Sequence, residues 1–337
     1  MGEGLTRELP VARRVFITQP IPEPGPSIVR AAADEVICNP DDRVLTPEEF
    51  RARVAGCDAV LCLLTDTIDA PVLEAARGCR VFSNLAVGYN NVDVPAATRL
   101  GILVTNTPGV LTDATADLTW TLLMGVARRV AEGDRLMRSG RFQGWRPMLL
   151  LGGDVTGRTL GLIGPGRIAT AVAERARGFK MTILFHGVEP APALEALGAR
   201  SVPLDTLLAE SDFVSLHVPL APETRHLIDA RALGLMKPTA YLINSSRGPV
   251  IDEAALVAAL RAGRIAGAGL DVYEDEPRMS AGLADCPNTL LLPHLGSATT
   301  TTRAAMSRIA AENLVAVLQG RRPAFPVNPE VLGGTSP

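Results

Sequence analysis

Short apolar runs alternate along the chain with alanine- and leucine-rich segments whose apolar positions recur at helical spacing. This alternation is typical of an α/β fold, in which helices join parallel strands. The runs fall into two sets. The first set predicts four strands, at residues 14–18, 59–64, 80–83 and 102–105. The second set is more regular and predicts a doubly wound sheet of about six strands, at residues 159–163, 181–185, 213–216, 240–244, 267–270 and 289–292.

Helical spacing is clearest in four segments. The long apolar stretch at 115–130 predicts a buried helix able to connect two domains. Shorter helices are predicted at 168–179 and 252–262, and a last one at 301–318. The proline- and glycine-containing tail that follows Pro323 is expected to be poorly ordered.

Composition narrows the function classes. The 337 residues suggest two domains at roughly 150 residues each. A net charge of -3 gives no electrostatic footprint for nucleic acid or an anionic membrane, and no apolar run approaches the roughly 18 residues that span a bilayer. The first ten residues lack the apolar stretch of a secretory signal. The five cysteines are scattered, without a Cys-x-x-Cys pair, which favours reduced thiols in the cytoplasm over disulfides or a metal site.

The strongest local signal is a glycine-containing turn between the first strand of the second set and its helix. Its sequence is Gly-Pro-Gly-Arg-Ile-Ala, from Gly164 to Ala169. Gly164 allows a tight turn, and Gly166 lets the backbone approach a pyrophosphate that the helix N-terminus would bind. Ordinary tight turns also produce this spacing. The strand before it and the helix after it favour a dinucleotide site.

The residues after the next strand bear on which dinucleotide binds. An acid about 20 residues past the glycines binds the ribose of NAD, and an arginine accepts the 2′-phosphate of NADP. Here the strand ends in His-Gly-Val-Glu-Pro, from His186 to Pro190, with neither group at the usual place. Glu189 can substitute for the acid if the loop bends back. The predicted cofactor is therefore NAD or NADP, and Glu189 favours NADH over NADPH.

Polar side chains follow four other strands of the second set. His294 follows the last strand, and His217 follows an earlier one and competes with it as proton donor. Arg247 follows the strand predicted at 240–244, and a group of acids at 271–276 follows the strand predicted at 267–270. Singly, each has an ordinary explanation: a hydrogen-bonded histidine, a surface ion pair, a solvated loop. Together they predict a hydride-transfer site, because carbonyl reduction needs a proton donor, a cation for the oxygen and a group that tunes the donor.

Six motifs in this order resemble the D-isomer-specific 2-hydroxyacid dehydrogenases over nearly the whole chain, and most of all the glyoxylate/hydroxypyruvate reductases. They occupy residues 84–93, 105–117, 164–169, 244–248, 270–277 and 293–299. The resemblance implies two Rossmann- or flavodoxin-like doubly wound domains with the active site in a cleft between them. A substrate-binding domain would comprise 1–104 with 296–337, and a dinucleotide-binding domain 105–295.

The resemblance also implies catalytic roles. Arg247 would hold the substrate carboxylate and carbonyl oxygen, a task suited to a guanidinium fork. His294 would be the general acid in reduction, and Glu276 would pair with it and favour the imidazolium. Asp271 would hold the nicotinamide carboxamide, and His217 would lie near the nicotinamide ribose.

Further contacts are implied for substrate and cofactor. The amides of Val87 and Gly88 would hold the substrate carboxylate from the other domain. Trp145 would reach into the site of the neighbouring subunit of a homodimer, or else anchor a core or interface. The expected cofactor-binding residues are Thr112, Gly164, Pro165, Gly166, Arg167, Ile168, His217, Val218, Pro219, Thr224, Ser245, Asp271 and Gly296.

The predicted reaction is reduction of a small 2-oxo acid, glyoxylate or hydroxypyruvate, to glycolate or D-glycerate with NAD(P)H. Two alternatives stay open. A D-2-hydroxyacid dehydrogenase for a bulkier 2-oxo acid would share the catalytic set. A nucleotide-sensing protein like the corepressors built on this fold also keeps a similar Arg, Glu and His set. The elements at 87–88 and 145, which suit small substrates, favour the enzyme.

Overall fold

The computed structural model describes residues 13–333, and the chain divides into two compact units. Unit 1 contains the described residues up to Val110 and those from Thr299 onward, and unit 2 runs from Leu111 to Ala298. Each unit is built on a sheet whose strands are all parallel, which confirms the expected fold class. These limits describe compactness only. The ligand-binding roles of the two domains, with boundaries at 104/105 and 295/296, stay a prediction.

Unit 1 is a five-stranded sheet with the order β2-β1-β3-β4-β5. Its strands are β1 (Arg14–Ile17), β2 (Glu35–Cys38), β3 (Ala59–Leu63), β4 (Val81–Leu85) and β5 (Leu103–Thr105). Its helices are α1 (Gly25–Ala32), α2 (Pro47–Val54), α3 (Ala70–Ala75), α4 (Val94–Arg99) and, at the C-terminal end of the chain, α12 (Thr300–Leu318). Helices α2, α3 and α4 contribute to the core on one face of this sheet, and α12 packs against strands β3 and β4 beside α1.

Arg80 secures the C-terminal end of α12. Its guanidinium donates to the carbonyl of Leu318 at 3.0 Å and also to that of Val317. The last carbonyls of a helix have no partner within the helix, and a cation there also complements the helix dipole. Helix α12 is therefore tied to the start of β4, an interior strand of the same unit.

The segment after α12 is ordered against β5. The amide of Val327 donates to the carbonyl of Val104 at 2.8 Å, and the buried Asn328 side chain accepts from the amide of Val104 at 2.7 Å. Covering an edge strand in this way satisfies backbone groups that would otherwise be open. The expectation of a poorly ordered tail is therefore wrong up to residue 333, and residues 334–337 lie outside the described part.

Unit 2 is a seven-stranded sheet with the order β12-β11-β10-β9-β6-β7-β8. Its strands are β6 (Thr159–Ile163), β7 (Thr182–His186), β8 (Arg200–Ser201), β9 (Phe213–Leu216), β10 (Tyr241–Asn244), β11 (Gly267–Leu270) and β12 (Thr289–Leu291). Its helices are α5 (Thr112–Ala127), α6 (Val130–Arg138), α7 (Arg167–Ala176), α8 (Pro192–Ala196), α9 (Leu204–Glu210), α10 (Ala230–Leu235) and α11 (Glu253–Arg261). Two apolar cores, one with α5, α7 and α8 and the other with α9, α10 and α11, cover the sheet on its two faces.

The sequence misses two edge strands, β2 and β8. Strand β8 contains no apolar residue, and the three apolar residues of β2 are only partly buried or exposed. The helix predicted at 115–130 begins earlier and ends at Ala127, where its carbonyl accepts from the amide of Gly153 at 2.9 Å. Arg129 then takes a left-handed conformation and α6 starts a new direction. Every helix in the described range is too short or too polar to cross a bilayer.

Candidate active site

Five neighbouring strands of unit 2 carry the candidate residues at their carboxyl ends. Gly164 follows β6, His217 follows β9, Arg247 follows β10, Asp271 follows β11 and His294 follows β12. Because all strands are parallel, the loops after them emerge at one edge of the sheet, where α/β proteins bind ligands. We call residues 244–250 the arginine loop and residues 271–280 the acid loop.

The glycine turn leaves room for a ligand at the start of α7. Gly164 has a φ of 95°, and a Cβ there would lie 2.8 Å from the backbone of His217 and Val218, so both conformation and space require glycine. Gly166 has an ordinary φ of -79°, and a Cβ there would meet nothing within 4 Å. The first turn of α7 has no side-chain cap. The open space beside uncapped amides fits a pyrophosphate and therefore a dinucleotide.

The end of β7 forms one wall of the turn. The amide of Gly164 donates to the carbonyl of His186 at 2.9 Å, and a Cβ at Gly187 would come within 2.2 Å of Pro165. Ala169 is fully buried against the sheet, in keeping with the need for a small residue at that position. Glu189 is exposed in the loop that follows.

The loop after β9 is internally braced. The Thr224 hydroxyl donates to the carbonyl of Pro219 at 2.7 Å and accepts from the amide of Ala221 at 2.8 Å. His217 shares a hydrogen bond of 2.9 Å between its Nε2 and the Ser215 hydroxyl. Burial lowers the pKa of His217 to about 4. A histidine that is neutral at physiological pH is a poor proton donor, which favours His294 for that role.

The lowered pKa of His217 predicts a pH-dependent stability. The unfolded chain takes up a proton at this residue below pH 6.5, whereas the folded unit resists it until about pH 4. The stability is therefore complete above pH 6.5 and is lost on acidification. From pH 7 to pH 5 the free energy of unfolding should fall by about 2 kcal/mol more in the wild type than in His217→Gln. Urea unfolding at both pH values measures this difference, and equal falls would contradict it.

His294, which follows β12, forms a hydrogen-bonded pair with Glu276 of the acid loop. The Nδ1 of His294 lies 2.9 Å from Oε2 of Glu276, and Oε1 of Glu276 accepts from the amide of Tyr273 at 3.0 Å. With Nδ1 engaged, Nε2 is the ring nitrogen that is left to serve a substrate. The pair is the arrangement of a histidine acid or base oriented by a carboxylate.

Asp271 sets the backbone on which His294 sits. Its carboxylate accepts from the amides of Leu295 and Gly296 at 2.6 and 2.8 Å, and its carbonyl accepts from the amide of His294 at 2.9 Å. His294 has a φ of 55°, a left-handed conformation that is uncommon for histidine. These three hydrogen bonds hold the turn in that conformation, so Asp271 acts within the chain as well as in its expected contact with the cofactor.

Burial and neighbouring charges shift the pKa values of these groups. Burial opposes ionisation of Glu276, but its hydrogen bond to His294, the charge of His294, the amide of Tyr273 and the charge of Arg247 outweigh it and lower its pKa. Burial raises the pKa of Asp271 despite its hydrogen bonds. Burial also lowers the pKa of Arg247, which Glu276 partly opposes. An arginine keeps its charge under such a shift, so the site holds a cation beside a carboxylate–histidine pair.

The arginine loop is shaped by the fully buried Asn244. Its side chain donates to the carbonyl of Arg247 at 3.0 Å and accepts from the amide and the hydroxyl of Ser246 at 3.0 and 2.8 Å. A Cβ at Gly248 would lie 1.7 Å from the carbonyl oxygen of Tyr273. The backbone of the arginine loop is thus pressed directly against that of the acid loop.

Two threonines of α5 form hydrogen bonds with the loops that follow β10 and β12. The hydroxyl of Thr115 donates to the carbonyl of Gly296 at 3.1 Å, and Thr119 shares a hydrogen bond of 2.7 Å with the hydroxyl of Ser245. Thr112, at the first turn of the same helix, is half-buried. Ser245 and Gly296, which are both expected to contact the cofactor, are therefore hydrogen-bonded to the helix that opens unit 2.

In unit 1, the segment expected to bind the substrate carboxylate follows β4. The carbonyl of Val87 accepts from the side chain of Asn106 at 2.8 Å, and the carbonyl of Gly88 accepts from the side chain of Asn84 at 3.1 Å. Asn84 in turn donates to the side chain of Asn91 at 3.2 Å. Because the carbonyl of Val87 shares a peptide plane with the amide of Gly88, its hydrogen bond sets the direction of that amide.

Residues 120–296 match the family model described as "D-isomer specific 2-hydroxyacid dehydrogenase, NAD binding domain". Over 96% of its length the chain is 47% identical to a glyoxylate reductase of Thermococcus onnurineus, and it covers 98% of that protein. This chain belongs to the D-isomer-specific 2-hydroxyacid dehydrogenases. A Thermus thermophilus protein of known structure superposes with a TM-score of 0.88 at 45% identity, covering 93% of this chain and 99% of that one. An NADPH-dependent glyoxylate/hydroxypyruvate reductase of Sinorhizobium meliloti, in complex with NADP and malonate, gives 0.83 at 33% identity, covering 97% and 99%.

Membership confirms the resemblance, the enzyme class and the use of NAD or NADP. In this dehydrogenase the residues expected in unit 2 lie on loops that follow strands at one sheet edge, or on the first turns of α5 and α7. Trp145 is different, because it lies on an exposed segment before β6 with 83% of its surface accessible. The individual roles of these residues stay predictions.

Sequence reasoning missed the supporting residues of the dehydrogenase. Asn244, Thr115 and Thr119 have no predicted role, although Asn244 lies in the motif at 244–248 and Thr115 in the motif at 105–117. Glu253 has no predicted role either. It is almost fully buried, which is not expected of a charged residue at the start of a helix. Their partners lie up to 181 residues away in sequence, so no local pattern marks them.

Proposed function

We propose that this dehydrogenase reduces glyoxylate and hydroxypyruvate, with a reduced nicotinamide dinucleotide, to glycolate and D-glycerate. The observation that carries the proposal is that Arg247 and the Glu276–His294 pair lie on loops after neighbouring strands, near enough for the charge of Arg247 to lower the pKa of Glu276. An open glycine turn lies at the same edge of the sheet. The name of the Thermococcus relative, glyoxylate reductase, supports the choice of a small 2-oxo acid. The relatives are named as reductases, which favours a reductase over a corepressor-like protein.

Each step needs one of these groups. Arg247 would hold the carboxylate bidentately and polarise the neighbouring carbonyl oxygen. When bound, the reduced nicotinamide supplies the hydride that adds to the carbonyl carbon. His294 would donate a proton from Nε2 to the carbonyl oxygen, which completes the 2-hydroxy acid. The carboxylate of Glu276 stabilises the imidazolium before that transfer and holds the ring by its Nδ1 at 2.9 Å.

NADH is the proposed dinucleotide. The loop after β7 carries the exposed carboxylate of Glu189 and no arginine from 186 to 199. A carboxylate can accept hydrogen bonds from a ribose but repels a 2′-phosphate. The relative named as NADPH-dependent shows that the family also uses the phosphorylated form, so the preference belongs to this loop and not to the fold.

We propose a homodimer in the cytoplasm. The segment at 142–151 exposes large apolar side chains, including Trp145 and Met148 at 83% and 76% of their surfaces. Such a patch is typical of an association surface, and Trp145 would contact substrate in the neighbouring subunit. All five cysteines are free thiols, in keeping with a reducing compartment. Light scattering should give a particle of twice 35.5 kDa.

Initial rates of NADH and NADPH oxidation test the function, each with glyoxylate, hydroxypyruvate, pyruvate and a bulkier aliphatic 2-oxo acid. We expect the highest kcat/KM for the first two acids, with NADH ahead of NADPH. In the Glu189→Arg variant the ratio should move towards NADPH, while Glu195→Arg, a change of equal charge on the following helix α8, serves as control. Preference for the bulkier acid, or nucleotide binding with no turnover, would overturn the proposal.

A further inference from the structure

A second histidine–glutamate contact lies beside the catalytic one. His226 Nε2 and Glu274 Oε1 are 2.5 Å apart, and the backbone of Glu274 is held by Glu253, whose Oε1 accepts from its amide at 2.6 Å. We call Glu253, Glu274 and His226 the clasp. None of the three has a part in the reaction described above, and the three lie on different segments of unit 2.

The clasp joins the two loops that carry the catalytic groups. The amide of His226 donates to the carbonyl of Pro249 in the arginine loop at 2.8 Å, while its ring contacts the acid loop. Glu253 reaches further along the acid loop, where its Oε2 accepts from the amide of Ser280 at 3.0 Å. The acid loop is therefore held on both sides of Glu276, at residue 274 and at residue 280.

Glu253 does not serve its own helix in these contacts. Helix α11 begins at Glu253, but Asp252 caps it, with a side-chain oxygen that accepts from the amide of Ala255 at 2.9 Å. Only 2% of the surface of Glu253 is exposed, and its carboxylate is directed to the acid loop. A buried carboxylate is expensive unless its oxygens accept hydrogen bonds, and here two backbone amides supply them.

We propose that Glu253 is a positioning residue for the Glu276–His294 pair. By fixing the amides of Glu274 and Ser280, it sets the turn in which Glu276 bonds to the amide of Tyr273 and presents its other oxygen to His294. The same turn is packed against Gly248, so Glu253 also sets the distance between Arg247 and the pair. This inference rests on the proposed function for its kinetic consequences and on the hydrogen bonds alone for its structural one.

Kinetics of Glu253→Ala and Glu253→Gln test the proposal. We expect Glu253→Ala to lower kcat for glyoxylate roughly 10- to 100-fold, because a displaced catalytic group loses that much. The pH profile of kcat should also change, since Nδ1 of His294 loses its well-placed carboxylate partner. Glu253→Gln keeps one acceptor oxygen, so it should show a smaller change in the same direction, and it serves if the alanine variant does not fold.

Asp252→Ala is the matched control, because it removes the cap of the same helix and no contact to the acid loop. It should lower stability while leaving the pH profile unchanged. In a Glu276→Gln background, Glu253→Ala should reduce kcat by less than about two-fold more, since residues that act through one another are not additive. If Glu253→Ala lowers stability with an unchanged profile, or if the two losses multiply, the proposal is overturned.

Imidazole NMR separates this proposal from the proposed function. The chain has four histidines, so the ring N–H of His294 can be assigned from single variants. We expect its signal, hydrogen-bonded to Glu276, in the wild type and in Asp252→Ala, and its loss or displacement in Glu253→Ala. An unchanged signal in Glu253→Ala refutes the positioning role whether or not any 2-oxo acid is reduced.

Discussion

Replacing His294 by asparagine is expected to lower kcat for glyoxylate reduction by about 10³-fold, within the range for loss of a general acid. Asparagine cannot donate the proton, but it tolerates the left-handed backbone that this position adopts at a φ of 55°. Alanine removes the proton donor and also strains the backbone. The two variants therefore separate chemistry from folding, and we expect equal losses of kcat but lower stability for alanine only.

Steady-state kinetics and nucleotide binding measure the effect of these changes. Binding of NADH should stay near the wild-type value in His294→Asn, because the glycine turn belongs to another loop. Glu276→Gln gives a graded comparison: it keeps an oxygen for Nδ1 of His294 but loses the charge that stabilises the imidazolium. Its activity should fall less than that of His294→Asn. Near-normal turnover in His294→Asn would contradict the assignment of the proton donor.

Replacing Arg247 is expected to have the second large effect. Arg247→Ala should lower kcat/KM for glyoxylate by about 10³-fold, and Arg247→Lys by about 10²-fold. The guanidinium fork can contact a carboxylate and a carbonyl oxygen together, whereas an ammonium group is a single point charge. The loss should appear in KM as well as kcat, since the carboxylate is bound before and during the reaction.

Arg231→Ala is the control for Arg247. Arg231 lies on α10 in the same unit and forms an exposed ion pair with Asp205. Exposed pairs of this kind contribute little to stability, so activity and folding should both be retained. If Arg247→Lys keeps wild-type kcat/KM for glyoxylate, bidentate recognition of the carboxylate is wrong. If the loss is confined to the KM for NADH, Arg247 serves the cofactor instead.

The central strands were predictable from the sequence because each is buried on both faces. The six strands expected in the second set agree with β6, β7, β9, β10, β11 and β12 to within about a residue at most ends. Strands β2 and β8 were missed because β8 has no apolar residue and the short apolar run of β2 is only partly buried, whereas β12, also an edge strand, keeps the apolar run that the pattern detects. The end of α5 was missed for another reason: its last carbonyl bonds to Gly153, which the chain reaches only after α6.

For the site, the sequence determined which chemical groups follow which strands, because a glycine turn, a cation, acids and a histidine stand directly after apolar runs. Only the tertiary structure decided how they combine. In the folded unit His294 is hydrogen-bonded to Glu276, 18 residues away, and burial lowers the pKa of His217 so that this residue is neutral. The tertiary structure also brought Asn244 and Glu253 behind the catalytic loops. Local patterns report burial along one segment, whereas a hydrogen bond between loops depends on how the whole sheet places their ends.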